Sequence, residues 1–200
     1  MRLIAGLLAV VLCAACGSKV PPLPKLAPQD VVLAFGDSLT YGTGAAEAES
    51  YPAVLQQLIG RTVVRSGVPG ELSAQGLARL ESVLDETRPR LLIVCLGGND
   101  LLRKVPDAQI AANLRSLLRL AKAKGVSALL IGVPRPQLLS SAPEFYAEIA
   151  REFDVPYEGT AVKDVLYDAR LKSDPIHPNA AGYRVMAEAI AKVLKQAGAI

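Results

Sequence analysis

Apolar residues fall along this chain in short unbroken runs, separated by longer stretches in which they recur every three or four positions. The runs cover residues 31–35, 62–64, 91–96 and 128–133. Continuous apolar runs of this length read as strands buried on both faces. Between them, Leu77, Leu80 and Leu84 share one face of a helix. So do Ile110, Leu114, Leu117 and Ala121, with Asp107 placed as the N-cap. A further helix is expected over residues 142–153 with Pro143 in its first turn, followed by a short strand at 155–157. A last amphipathic helix starts from an Asn179 cap and buries Tyr183, Met186, Ala187, Ile190 and Leu194. Strand and helix alternating at this spacing predict parallel strands joined by right-handed crossovers. The fold class is therefore α/β, a three-layer α/β/α sandwich over residues 30–200 with a five-stranded parallel sheet in the flavodoxin-like order 2-1-3-4-5. In that order the first strand is central, and the loops after strands one, two and three meet at one edge, where open α/β sheets place their ligands.

Three stretches fall at those loop positions, and a fourth lies in the loop before the last helix. Gly36-Asp37-Ser38-Leu39 ends the first strand abruptly and sets a serine hydroxyl at its C-terminal end; alone, it reads equally as a turn capping a helix. Ser66-Gly67-Val68-Pro69-Gly70-Glu71 follows the second strand, and its glycines and proline allow a tight turn with exposed N–H groups, or an ordinary connection. Gly97-Gly98-Asn99-Asp100 follows the third and offers a side-chain amide, or a helix cap. Asp174-Pro175-Ile176-His177-Pro178-Asn179 precedes the last helix and holds the one histidine of the chain. A lone histidine is commonly structural. An acid three positions earlier, however, can accept the ring's Nδ1–H and leave Nε2 free as a base, which is what a serine hydroxyl needs for activation.

Composition narrows the classes. The apolar fraction of 51% supports a sizeable core, and the net charge is only +3. No run of Lys and Arg occurs and aromatics are 4%, so the basic stripe and stacking platform of nucleic-acid binding are missing. Residues 1–15 have the form of a signal peptide: a positive Arg2, then an apolar segment too short to span a bilayer. Cys13-Ala14-Ala15-Cys16-Gly17-Ser18 resembles a bacterial lipoprotein cleavage site with Cys16 as the acylated residue; secretion with cleavage nearby is the alternative. Residues 16–29, with four prolines from Pro21 to Pro28, are expected to be a tether. The expected location is thus the envelope of a bacterium, exported and held on its periplasmic face through an N-terminal lipid anchor. Within the domain only Cys95 remains, mid-strand, which leaves no disulfide framework or cysteine-rich metal site and suggests a packed core thiol.

Taken in order, the four motifs resemble those of the SGNH hydrolases, the GDSL esterase/lipase family, and most of all its bacterial thioesterase I/lysophospholipase/arylesterase branch. Gln75-Gly76-Leu77-Ala78-Arg79-Leu80 and Glu152-Phe153-Asp154-Val155-Pro156 resemble that branch too. The resemblance implies a serine esterase or thioesterase acting on a small-molecule ester without metal or cofactor. It implies Ser38 as nucleophile, His177 as general base and Asp174 as the acid that orients it. The backbone N–H groups of Ser38 and Gly70 and the side-chain amide of Asn99 are implied as the oxyanion hole, and Asp37 as a structural neighbour. The chain departs from the family at Arg65-Ser66, where Asn-Ala is common, and at Glu71-Leu72, where Asp-Thr is common. It also has Val133-Pro134-Arg135-Pro136-Gln137-Leu138-Leu139 where the branch has a Leu-Pro-x-Asn-Tyr-Gly loop. Leu138 and Leu139 suggest a medium or long acyl chain. Rival readings are a carbohydrate O-acetyl esterase of the same family and a non-catalytic surface lipoprotein. The Gly-x-Ser-x-Gly elbow of the α/β-hydrolases does not occur.

Overall fold

The computed structural model describes residues 20–136 and 140–200. At its centre lie five parallel strands: β1 (Val31–Gly36), β2 (Thr62–Gly67), β3 (Leu91–Cys95), β4 (Ser127–Ile131) and β5 (Tyr157–Glu158). Their order is β2-β1-β3-β4-β5, as the alternation predicts. The helices are α1 (Ser38–Tyr41), α2 (Tyr51–Ile59), α3 (Ser73–Thr87), α4 (Gly98–Leu102), α5 (Asp107–Ala123), α6 (Glu144–Phe153), α7 (Ala161–Tyr167) and α8 (Ala180–Gln196). Helix α2 packs on α8, while α3 packs on α5 and α5 on α6, which gives the sheet a helical layer on each side. Val32 to Phe35, Leu91 to Leu96 and Leu129 to Ile131 are all buried, the reason these strands read as unbroken apolar runs. Helix α8 buries Tyr183, Met186, Ala187, Ile190 and Leu194, and the Asn179 side chain caps it by accepting from the Gly182 amide.

The strands end in register. Gly36 lies opposite Gly67 of β2 and Cys95 of β3, so the loops after all three start at one level. The chain turns one way from β1 to β2 and the other way to β3, and the crevice at this reversal is where a ligand site is expected. Close packing there requires glycine. A Cβ on Gly67 would lie 2.1 Å from the Tyr41 amide nitrogen, so a side chain at the end of β2 would displace α1 and Ser38 with it.

Three local expectations are corrected. Asp107 does not cap α5; Pro106 holds the cap position and Asp107 is the first helical residue, where its charge faces the positive helix end. Pro143 likewise precedes α6 as its cap residue and is not in its first turn. The proline-rich segment is not a free tether from residue 20 onward. The Leu23 amide donates to the Ala197 carbonyl and the Leu26 amide to the Ala199 carbonyl, at 2.8 and 2.9 Å. The Arg61 guanidinium donates to the Leu26 carbonyl, and Leu26 is 2% exposed. Two leucines among the prolines have apolar bodies to bury, and the end of α8 offers them a surface. Cys16, Leu138 and Leu139 lie outside the described residues.

Candidate active site

Asp37 ends the β1 turn as N-cap of α1, its carboxylate accepting from the Leu39 amide at 3.0 Å. Ser38 is therefore the first residue of a one-turn helix at the mouth of the sheet, part-exposed above buried Asp37 and Leu39. The His177 loop arrives from the other side. It is closed by an antiparallel bridge between Lys172 and Pro178 and by the Ser173 amide donating to the His177 carbonyl at 2.9 Å. Asp174 organises the turn between: one carboxylate oxygen accepts from the amides of Ile176 and His177 at 2.8 and 2.9 Å. Its other oxygen lies 2.7 Å from His177 Nδ1, and His177 Nε2 lies 3.0 Å from Ser38 Oγ. Three residues named from the sequence thus stand in one hydrogen-bonded line spanning 139 positions of chain.

Electrostatics fix the proton positions along that line. Burial works against the Asp174 charge, but the His177 ring and the two turn amides outweigh it and hold the carboxyl below its ordinary range. An ionised carboxylate only accepts, so the ring proton sits on Nδ1. In the neutral imidazole Nε2 then accepts from the Ser38 hydroxyl. This arrangement can draw the proton from Oγ as Oγ attacks an electrophile.

Of the other two expected contributors, Asn99 lines the same cavity as Ser38 and His177, while Gly70 lies in the neighbouring turn and is not among the lining residues. Gly70 occupies the left-handed region at φ 79°, in an exposed turn between Val68 and Glu71, and no hydrogen bond to its amide occurs among the described residues. Asn99 Nδ2 donates to the Glu71 carbonyl at 3.1 Å and, at a long 3.3 Å, to Asp37 Oδ2. The amide therefore ties the three loops together, and the longer bond is the one a stronger acceptor would displace. Asp37 itself is 2% exposed, and burial, with the charges of Glu71 and Asp100 adding, raises its carboxyl from 3.8 to about 7.

The departures from the family pattern are resolved by one residue that the sequence reading quoted but gave no role, Arg79. From α3 its guanidinium pairs both oxygens of buried Glu71, at 2.6 and 2.7 Å. It also donates to Ser66 Oγ and to the carbonyls of Ser66 and Gly36, and stacks 3.9 Å over the Phe35 ring. One cation thus ties the ends of β1 and β2 to the Gly70 turn. Arg65 lies outside this cluster, on the surface, paired with Glu47 and stacked on Tyr41. Asp100 accepts from the Ser73 amide and hydroxyl at 2.8 and 2.7 Å, which anchors the start of α3 to the Asn99 loop. The signal for Arg79 was a cation one position from the buried Leu80 of an amphipathic helix.

Ser38, Asn99 and His177 open into a cavity of about 440 Å3, walled by Leu39, Leu102, Val133, Leu166 and Ile176 among others. Its size is that of a small-molecule site. Among the described residues no cluster of three or more His, Cys, Asp and Glu is gathered to hold a metal ion. Cys95 is fully buried below the site, where burial pushes its thiol well above the usual range, so it is packed and not reactive.

The sequence and the fold match known proteins. Residues 34–185 fit the GDSL-like Lipase/Acylhydrolase family. The chain is 32% identical over 179 residues to the thioesterase 1/protease 1/lysophospholipase L1 of Escherichia coli K12, covering 86% of each. It is 31% identical over 206 residues to esterase TesA of Pseudomonas aeruginosa, covering 96% of each. A crystal structure of TesA superposes with a TM-score of 0.76 at 29% identity, over 84% of this chain and 99% of that one. The order of the strands, the serine at the end of the first and these similarities agree: the chain belongs to the GDSL-like Lipase/Acylhydrolase family.

Proposed function

We propose that this protein hydrolyses carboxylic esters or thioesters by acyl transfer through Ser38. The observation that carries the reading is the Ser38–His177–Asp174 line at the mouth of a largely apolar cavity. The names of its relatives, a thioesterase and lysophospholipase, an esterase and an arylesterase of Vibrio mimicus, support the same chemistry. Ser38 Oγ attacks the acyl carbonyl while His177 Nε2 takes its proton. The resulting oxyanion is held by the Ser38 and Gly70 amides and by Asn99 Nδ2, whose long bond to Asp37 is exchanged for the stronger acceptor. His177 then protonates the leaving alcohol or thiol. Water attacks the acyl-enzyme by the same route, and the acid product leaves with Ser38 restored. Asp174 holds the ring in the required tautomer throughout.

The apolar wall of Leu102, Val133, Leu166 and Ile176 favours an acyl chain longer than acetyl over the carbohydrate O-acetyl reading. p-Nitrophenyl esters from C2 to C16 test this: a maximum at about C6 or longer is expected, and a maximum at C2 moves the assignment to an acetyl esterase. Absence of turnover at every length, with no labelling of Ser38 by an organophosphonate, would leave the binding-protein reading. Export and acylation at Cys16 are proposed from residues 1–18 of the sequence alone, and mass spectrometry of the N-terminal peptide from the membrane fraction tests them.

A further inference from the structure

Most charges that line the cavity are already engaged. His177 is paired with Asp174 and Arg135 with Asp107, while Asp37 lies buried against the Asn99 amide. Lys172 is the exception. It lies one residue before the Ser173 that closes the His177 loop, and it shares the cavity wall with Ser38, Leu166, Tyr167 and Ile176. Its ammonium donates to the Leu166 carbonyl at 3.2 Å, and no carboxylate among the described residues pairs with it. The acids nearest in sequence are committed elsewhere: Asp168 is held by Arg170 at 2.6 Å, Asp164 lies 3.8 Å from Lys163, and Asp174 serves the histidine. An ammonium carries three donors, and one is used. A half-buried cation with donors to spare, on the wall of a cavity whose other charged side chains are already engaged, suits an anion brought in by the ligand.

We infer that Lys172 receives an anionic group of the substrate, so that the preferred esters or thioesters carry a carboxylate or phosphate that reaches the cavity wall while their carbonyl lies at Ser38. The inference rests on the esterase reading and adds to it the charge of the substrate. The anion can sit on the acyl part or on the leaving group. A cation with a flexible four-carbon stem serves either, because it recognises charge rather than a planar fork.

The test compares wild type, Lys172→Met and Lys172→Arg on matched substrates. On the acyl side these are mono-4-nitrophenyl glutarate and 4-nitrophenyl pentanoate. On the leaving-group side they are hexanoyl coenzyme A and S-hexanoyl-N-acetylcysteamine. Lys172→Met is expected to lose about tenfold in kcat/KM on the anionic member of at least one pair, mostly through KM. The neutral member should stay within about twofold and Lys172→Arg should recover most of the loss. The pair affected identifies which end of the substrate carries the anion. Equal loss on neutral and anionic members would assign Lys172 to holding the end of α7 and overturn the inference, as would no loss on either. Failure of the esterase reading shows separately, as absence of turnover of the neutral esters by wild type. Calorimetry then decides: mono-4-nitrophenyl glutarate or hexanoyl coenzyme A should bind the Ser38→Ala protein about tenfold more tightly than Ser38→Ala/Lys172→Met, and equal or absent binding of both overturns the inference.

Discussion

Asp37 shows most directly how a single residue can serve the site at a cost to the fold. Its carboxyl caps α1, touches Asn99 and is pushed up to about 7 by burial. The folded value lies above the unfolded 3.8, so between about pH 4 and 7 the folded protein keeps a proton that the unfolded chain has released. The contribution of this group is therefore full below pH 4 and is lost as pH rises through 7. Asp37→Asn removes the titration. We predict that the melting temperature of the variant relative to wild type rises from pH 5 to pH 8; a constant difference would show that Asp37 is ionised in the folded protein across that range. Asn99→Ala is expected to lower kcat by about a hundredfold with little change in KM, because the amide is wanted chiefly in the transition state. Near-normal kcat would take Asn99 out of the oxyanion hole. The residues Ser38, Asn99, Asp174 and His177 were legible because their motifs, each ordinary for a loop when taken alone, follow one another along the chain in an order that resembles a known family. What Asn99 and Asp37 do to each other was not legible, since it depends on a contact between residues 62 positions apart.

At the scale of elements, the Gly70 turn is shaped by an ion pair rather than by its own backbone. Glu71 is 4% and Arg79 23% exposed at the side chain, and the guanidinium reaches carbonyls at the ends of two strands. Removing one partner leaves a buried charge. Arg79→Met is expected to cost about 3 kcal/mol by denaturant titration, and Arg79→Met/Glu71→Leu to recover much of it. A double variant no better than the single would place the cost in the lost carbonyl bonds instead. The strands and the amphipathic helices α3, α5 and α8 were readable because their apolar periods are long or unbroken. Helix α2 was not: it is nine residues, carries Pro52 in its first turn, and buries Tyr51 and Pro52 beside Val54, Leu55 and Ile59, which blurs its stripe. Helix α7 is seven residues, too short for a clear apolar period, and buried Glu158 caps it through the Thr160 and Ala161 amides while the Thr160 side chain at the cap position does not.

For the whole molecule, the first described residues and the last helix form one closure. Leu23 and Leu26 run along the end of α8, and Arg61 fastens the Leu26 carbonyl beside the start of β2. The sequence reading took this segment as tether because prolines dominate its composition; the two leucines that dock are only legible once α8 is in place. Leu26→Ala is expected to cost about 2–4 kcal/mol in unfolding free energy, as for other fully buried leucines. A loss under about 0.5 kcal/mol would show the segment to be detached in solution. Closure at this end leaves the opposite end of the sheet, where β1, β2 and β3 stop together, to carry the chemistry.

The central claim is that Ser38 and His177 act as one acyl-transfer unit. The measurement that tests it most directly is the kcat for p-nitrophenyl octanoate of wild type, Ser38→Ala, His177→Ala and the double variant, each verified as folded by circular dichroism. The account predicts that each single change lowers kcat by about ten-thousandfold or more and that the double variant is no worse than either. Turnover near wild type in Ser38→Ala, or losses that multiply in the double variant, would contradict it.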